Sequence, residues 1–197
     1  MITNLSSRDR LLVEVVDHMG QPFGVRTVDE VHRQPGQLHR AFSVVLKDQI
    51  GRILLQRRSA AKTRFASLWA NACCGHPAPG QSVAASANRR LREELGLNPI
   101  TLTEAGVYVY YAEDPITGRV EFEYDHVLVG SVATDVRLTP DPNEVADLLW
   151  VNRHDLASSL DANPESSAPW LAGVIARLAE HESTTSSARP AEPSGGQ

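Results

Sequence analysis

The sequence predicts an α/β protein of the α+β kind, a mixed β-sheet flanked by helices and closed by a C-terminal helix. Three observations point there. Apolar and β-branched runs alternate with turn residues from Leu11 to Gly130, the pattern of successive strands. One amphipathic helix interrupts them between Ser82 and Leu95, and a second spaces Trp170, Val174 and Leu178 four residues apart. Strands broken by helices that each carry one apolar stripe bury those stripes on a shared sheet.

In order, residues 11–16 read as a strand entering the turn Gly20-Gln21-Pro22. Residues 31–40 form a loop-like segment with two histidines, and 41–47 the next strand. Asp48-Gln49-Ile50-Gly51 is its hairpin turn and 52–58 the return strand, where consecutive Ile53, Leu54 and Leu55 indicate burial on both faces. A basic connector at 62–64 leads to 68–77, dense in Trp, Asn, Cys, Gly and His. Ser82 then caps the best helix, with Val83, Ala87, Leu91 and Leu95 every fourth residue and Gly96 placed to end it. Residues 102–112 and 120–130 make a long hairpin across Asp114-Pro115 and Gly118. A short strand at 148–151 and a helix from Pro169 complete the fold. Beyond Glu182 the chain is rich in Ser, Thr, Pro, Gly and Ala, too poor in apolar bulk to offset its ordering entropy. One ordered domain over 1–182 and a disordered tail over 183–197 are expected.

Composition narrows the class. A chain of 197 residues with 42% hydrophobic and 22% charged residues is an ordinary single globular domain. Its net charge of -5 argues against a general nucleic-acid or anionic-membrane binder, so any anionic ligand must be met by local positive charge. The only cysteines, Cys73 and Cys74, are sequence neighbours, which excludes a disulfide scaffold and suits a reducing compartment. Residues 1–10 are polar, with no signal-peptide core, and no stretch reaches membrane-spanning length. A cytoplasmic protein, monomeric by preference, is expected.

Chemistry concentrates in few places. His32, His39 and His76 sit in Gly/Pro-bearing segments beside predicted core elements. Glu121 and Glu123 lie two apart on a strand and so project from one face. Three imidazoles and two carboxylates suit Mn²⁺, Zn²⁺ or Fe²⁺ in a roughly octahedral site. The same spacing also suits histidines that cap loops and glutamates on a solvated strand face. Cys74-Gly75-His76 places a thiol beside an imidazole, consistent with acid/base chemistry or with two buried structural cysteines. Arg57, Arg58, Lys62 and Arg64 are the densest basic cluster in an acidic chain, fit to hold phosphate oxygens. On the central helix Arg90 and Glu94 share a face, and Glu94 falls at the edge of the apolar stripe.

Gly75, Arg89, Leu91, Glu93, Glu94, Gly96 and Leu97 resemble the Nudix box, a loop-helix-loop that sets a glutamate on a magnesium diphosphate. Gln81 and Arg90 stand where that pattern carries further glutamates. The runs Gln37-Leu38-His39-Arg40-Ala41-Phe42-Ser43, Leu55-Gln56-Arg57-Arg58, Trp69-Ala70-Asn71, Cys73-Cys74-Gly75-His76-Pro77, Glu93-Glu94-Leu95-Gly96 and Glu121-Phe122-Glu123-Tyr124 together resemble the type I isopentenyl diphosphate isomerases, which are built on the Nudix fold. These motifs span about Leu11 to Leu178.

The resemblance implies a small-molecule partner and a function: interconversion of isopentenyl and dimethylallyl diphosphate by antarafacial proton transfer, in isoprenoid biosynthesis. It makes His32, His39, His76, Glu121 and Glu123 the ligands of one divalent ion, Mn²⁺, Zn²⁺ or Mg²⁺. Glu94 and the backbone carbonyl of Cys74 go to a Mg²⁺ that arrives with the diphosphate. Arg58, Lys62 and Arg90 hold the diphosphate, Trp170 lies over the hydrocarbon, and Cys74 faces Glu123, assisted by Tyr111, as the acid/base pair. Two positions depart from the family. Val28 replaces a common lysine four residues before the first metal histidine, with Arg26 the nearest substitute, and Phe65-Ala66-Ser67 lacks the usual Pro-Gly. A Nudix hydrolase and a non-catalytic Nudix-like binding protein are the competing readings.

Overall fold

The computed structural model describes residues 8–187. β1 (Leu12–Val16) and β2 (Pro22–Thr27) pair antiparallel. Thr27 then caps the short α1 (Val28–Val31), with Glu30 completing a capping box. β3 (His39–Asp48) is the hub. It pairs parallel with β8 (Val120–Val132), and antiparallel with β1, with β4 (Ile53–Arg58) and with the three-residue β6 (Cys73–Gly75). β7 (Leu102–Glu113) flanks β8 as the expected hairpin, while β5 (Trp69–Asn71) and β9 (Val145–Val151) flank β4 on its two sides.

The pleat of β3 divides the interior into two cores. Phe42, Val44 and Leu46 point to α2 (Val83–Leu95), which returns Ala87, Leu91 and Leu95. Val45 points the other way, to Leu171, Val174 and Leu178 of α4 (Leu171–Ser187), with Val127 and Tyr110 alongside. Both helices use the apolar spacing expected of them. Ile53, Leu54 and Leu55 are all buried, as a strand covered on both faces requires.

Four features were not foreseen. β2 is an edge strand with mostly exposed side chains. α1 is too short to show a period. β5 and β6 are brief strands inside the 68–77 segment. α3 (Arg153–Ala162) buries only Leu156 and so carries no apolar stripe. Two boundaries are corrected. Trp170 precedes α4 instead of lying on it, and α4 continues to Ser187, so residues 183–187 do not belong to a tail. The hydroxyls of Ser183, Thr184 and Thr185 donate to the carbonyls of Ala179, Glu180 and His181 within this last stretch of α4, the local back-bonding open to such residues in a helix. The rest of the expected tail, 188–197, lies outside the described residues. Among the described residues no helix is long and apolar enough to cross a membrane.

Gly96 ends α2 in the left-handed region, φ 65°, with its N–H reaching the carbonyls of Leu91 and Arg92. A Cβ there would meet Thr139 Oγ1 at 1.9 Å. Gly96→Ala is therefore expected to cost about 1–3 kcal/mol and to lower the melting temperature by several degrees, read by differential scanning calorimetry; an unchanged melting curve would refute the assignment.

Candidate active site

The face of β3 opposite α2 carries His39, Ala41, Ser43 and Val45, and its parallel partner β8 presents Glu123, Asp125 and Val127 in register with the first three. Glu121 extends the same face by one pleat. β6 lies against the other edge of β3, and Cys74 is opposite Ser43. His76, two residues on, shares the side of Cys74, and α1 delivers His32 at its C-terminal end. The five expected metal ligands thus converge, with one ligand atom from each within 4.8 Å of all the others.

Ring orientation gives the test of fit. His32 Nδ1–H donates to the Val28 carbonyl at 2.6 Å and His39 Nδ1–H to that of Gln37 at 2.7 Å. Each Nε2 is left as a lone pair aimed at a carboxylate, His32 at Glu121 Oε2 (2.8 Å) and His39 at Glu123 Oε1 (3.7 Å). His76 Nε2 lies 3.0 Å from the same Glu123 oxygen. Burial pushes His32 down to about 4, so the imidazole is neutral at pH 7. Two acceptors face each other in a dry site, the buried His39 Nε2 has no hydrogen-bond partner, and a divalent cation reconciles both facts. Burial would raise Glu121, but Arg64, whose Nε donates to Oε1 at 2.7 Å, together with His32 and His76 holds it well below the usual carboxylate range. Burial and Glu121 would raise Glu123, and the adjoining imidazoles of His39 and His76 outweigh them and hold it low.

Beside this cluster lie the residues expected to form the acid/base pair, with one correction. Tyr110, not Tyr111, donates to Glu123, its hydroxyl 2.7 Å from Oε2. Tyr111 points to the opposite side of β7, 53% exposed against Phe122, because adjacent strand residues face opposite ways. Cys74 Sγ donates to Asn71 Oδ1 at 3.3 Å and lies 3.5 Å from Ser43 Oγ. The same Asn71 oxygen accepts from Trp170 Nε1 at 3.1 Å, and the Trp170 ring lies 5.9 Å from that of Tyr110. Thiol, indole, phenol and carboxylate therefore follow one another in one continuous chain of contacts. Burial, reinforced by Asp125, pushes the Cys74 thiol up to about 12. Burial likewise raises Tyr110, with Glu123 adding to it. Cys73 projects into the α2 core. Asn71, Ser43, Tyr110 and the buried Asp125 were not singled out from sequence. The Asn71 motif was visible, but its side-chain role depends on the fold.

The expected diphosphate residues divide. Arg90 pairs with both Glu94 and Glu93, Lys62 pairs with Glu144 and lies 3.7 Å from Glu94, and Gln56 Nε2 donates to Glu94 Oε2 at 3.2 Å. Arg58 stands apart. Its Nε and Nη2 donate to the carbonyls of Phe65 and Arg64, and its guanidinium stacks 5.3 Å over Trp170, so it pins the 59–67 loop against the pocket. Phe65 and Ser67 in that loop take positive φ, 47° and 67°, a region that glycine adopts more easily than they do. Val28 is buried with Val13, Val15 and Val31 and brings no charge, while Arg26 turns back to the Val25 carbonyl.

The NUDIX domain family model matches residues 37–176. An isopentenyl-diphosphate Delta-isomerase of Nocardia farcinica is 56% identical over 163 residues, 83% of this chain and 91% of that protein. One from Streptomyces avermitilis is 43% identical over 182 residues, 91% of this chain and 90% of that protein. A Deinococcus radiodurans crystal structure superposes with a TM-score of 0.65 at 19% identity, covering 84% of this chain and 98% of the other. A Nudix hydrolase from M. smegmatis gives 0.54 at 20%, covering 91% and 98%. These two structures show the fold alone. The sequence relatives go further: the chain belongs to the isopentenyl-diphosphate Delta-isomerase family, on the Nudix fold.

Proposed function

We propose that the protein interconverts isopentenyl and dimethylallyl diphosphate by antarafacial proton transfer between Cys74 and the Glu123–Tyr110 pair. The convergence of these three groups and Trp170 on one pocket beside the His/Glu cluster carries the reading. The reaction adds a proton to an unactivated terminal alkene carbon and removes one two carbons away, passing through a tertiary carbocation. It needs a proton donor and an acceptor on opposite sides of a dry, five-carbon pocket, with an aromatic face for the cation. Arg90 favours this reading over diphosphate hydrolysis. It neutralises Glu94 where a water-activating site would collect further carboxylates.

His32, His39, His76, Glu121 and Glu123 would hold one divalent ion, and Glu94 with the Cys74 carbonyl would hold Mg²⁺ brought by the diphosphate. Bound there, the ions supply charge that fixes ligand protonation and anchors the substrate head. The chain's own groups do the rest. Tyr110 orients one oxygen of Glu123, Asn71 orients the thiol and the indole together, and Lys62 and Arg90 hold the head so that the olefin stays between sulfur and carboxylate. In the resting pocket Cys74 carries its proton and Glu123 does not. One partner loaded and the other empty is what a relay in either direction requires.

Incubation of the metal-loaded protein with isopentenyl diphosphate and Mg²⁺ in D₂O is expected to give deuterated dimethylallyl diphosphate, seen by NMR. Release of free phosphate or pyrophosphate would replace the isomerase with a hydrolase, and unchanged substrate would leave a binding protein. Cys74→Ala and Glu123→Gln should each lower kcat by at least about 10²-fold while melting cooperatively. Tyr110→Phe should slow turnover and Tyr111→Phe should not; equal effects of the two would return the role to neither. Finally, His32 is held near 4 against an ordinary 6.5, so the unfolded chain takes up a proton in that window and the folded one does not. Stability of chelator-treated protein is whole above pH 6.5 and should fall by up to about 3 kcal/mol by pH 4. Urea unfolding across that range checks it, and His32→Asn should flatten the slope.

A further inference from the structure

Three cations share three carboxylates at the mouth of the pocket, and one of them comes from outside the motifs. Glu144, just before β9, receives Lys62 on Oε2, while its Oε1 lies 2.7 Å from Arg8 Nε and 3.5 Å from Arg90 Nη2. Glu93 Oε2 receives Arg90 Nη1 at 2.5 Å and Arg8 Nη2 at 3.2 Å. Arg8 is thus one carboxylate away from both Lys62 and Arg90, two of the side chains expected at the diphosphate. The turn that bears it is seated: Leu11 N–H donates to the Arg8 carbonyl at 3.0 Å, Asp29 N–H to that of Asp9 at 3.0 Å, and Val28 N–H to that of Leu11 at 2.8 Å. Asp9 lies 4.0 Å from Arg64, which holds the metal-cluster residue Glu121. Neighbouring residues 8 and 9 therefore reach the diphosphate side and the metal side of the pocket respectively, as Lys62 and Arg64 do from the 59–67 loop.

We propose that Arg8 is a third diphosphate-binding cation, held ready at the rim by Glu144 and Glu93. The charges support it. The Arg8 side chain is 41% exposed and that of Glu93 46%, whereas Glu94 and Glu144 are at 1% and 11%. The Arg8 end of the cluster is thus the end open to an arriving anion. The three cations and three carboxylates balance. A diphosphate monoester with one Mg²⁺ brings net negative charge, and Mg²⁺ at Glu94 would release Lys62 and Arg90 from that carboxylate toward phosphate oxygens. Glu93, the most exposed of the three carboxylates, is the partner Arg8 can leave at least cost, freeing a planar guanidinium edge for the phosphate.

This inference rests on the diphosphate reading of the pocket, and the test separates the two. Binding of inorganic pyrophosphate with Mg²⁺ to the metal-loaded full chain is measured by calorimetry, and turnover of isopentenyl diphosphate in parallel. Arg8→Gln should weaken pyrophosphate binding about tenfold and raise KM to the same extent, with kcat changed less than twofold, while Arg8→Lys recovers most of the loss. A wild type that binds pyrophosphate no better than Arg8→Gln, or equal behaviour of the Gln and Lys variants, would overturn it. Absence of isomerisation by the wild type, with the pyrophosphate difference intact, would overturn the isomerase reading and leave Arg8 standing.

Discussion

The parallel pairing of β3 with β8 is the constraint on which the site depends. Register places His39 beside Glu123, Ala41 beside Asp125 and Ser43 beside Val127, and β6 adds Cys74 across from Ser43. A slip of one residue in either pairing would turn a whole set of polar side chains into the α2 core and bring apolar ones out. Burial on both sides of β3 prevents that slip. The apolar cores are therefore what aligns the polar face between them.

That face concentrates groups that ordinary interiors avoid. Glu121, Glu123 and Asp125 are all buried on successive outward positions of one strand. Burial and the charge of Glu123 push Asp125 well up, whereas Arg64 and the histidines hold Glu121 well below the usual carboxylate range. Carboxyl groups on one strand are thus drawn in opposite directions by which neighbours each can reach. The cost is borne by the fold around it, and a bound cation offsets part of it.

Much of this was legible in the sequence. The longer strands and two main helices follow from period and punctuation, and the His/Glu cluster follows from motif resemblance, because ligand chemistry restricts residue type. Elements without an apolar stripe were invisible, α3 and β2 above all, since periodicity reports burial and they bury little. Tyr110 was missed for Tyr111 because two adjacent tyrosines are equivalent until the strand's facing is known, and a one-residue difference there reverses the side. Arg8 and Glu144 carry no motif. Their meaning comes from being brought within reach of Lys62 and Arg90 by a turn at one end of the chain and a loop far along it.

The two neighbouring thiols illustrate a last consequence of the pleat. Cys73 enters the core under α2, and Cys74 opens toward the indole of Trp170. Sulfurs set on opposite sides of a strand cannot join into a vicinal disulfide unless β6 first peels away from β3. An oxidant that arrives there meets a single half-buried sulfur kept in its unreactive protonated form, so the surroundings that hold the proton on the thiol also guard the atom that carries it.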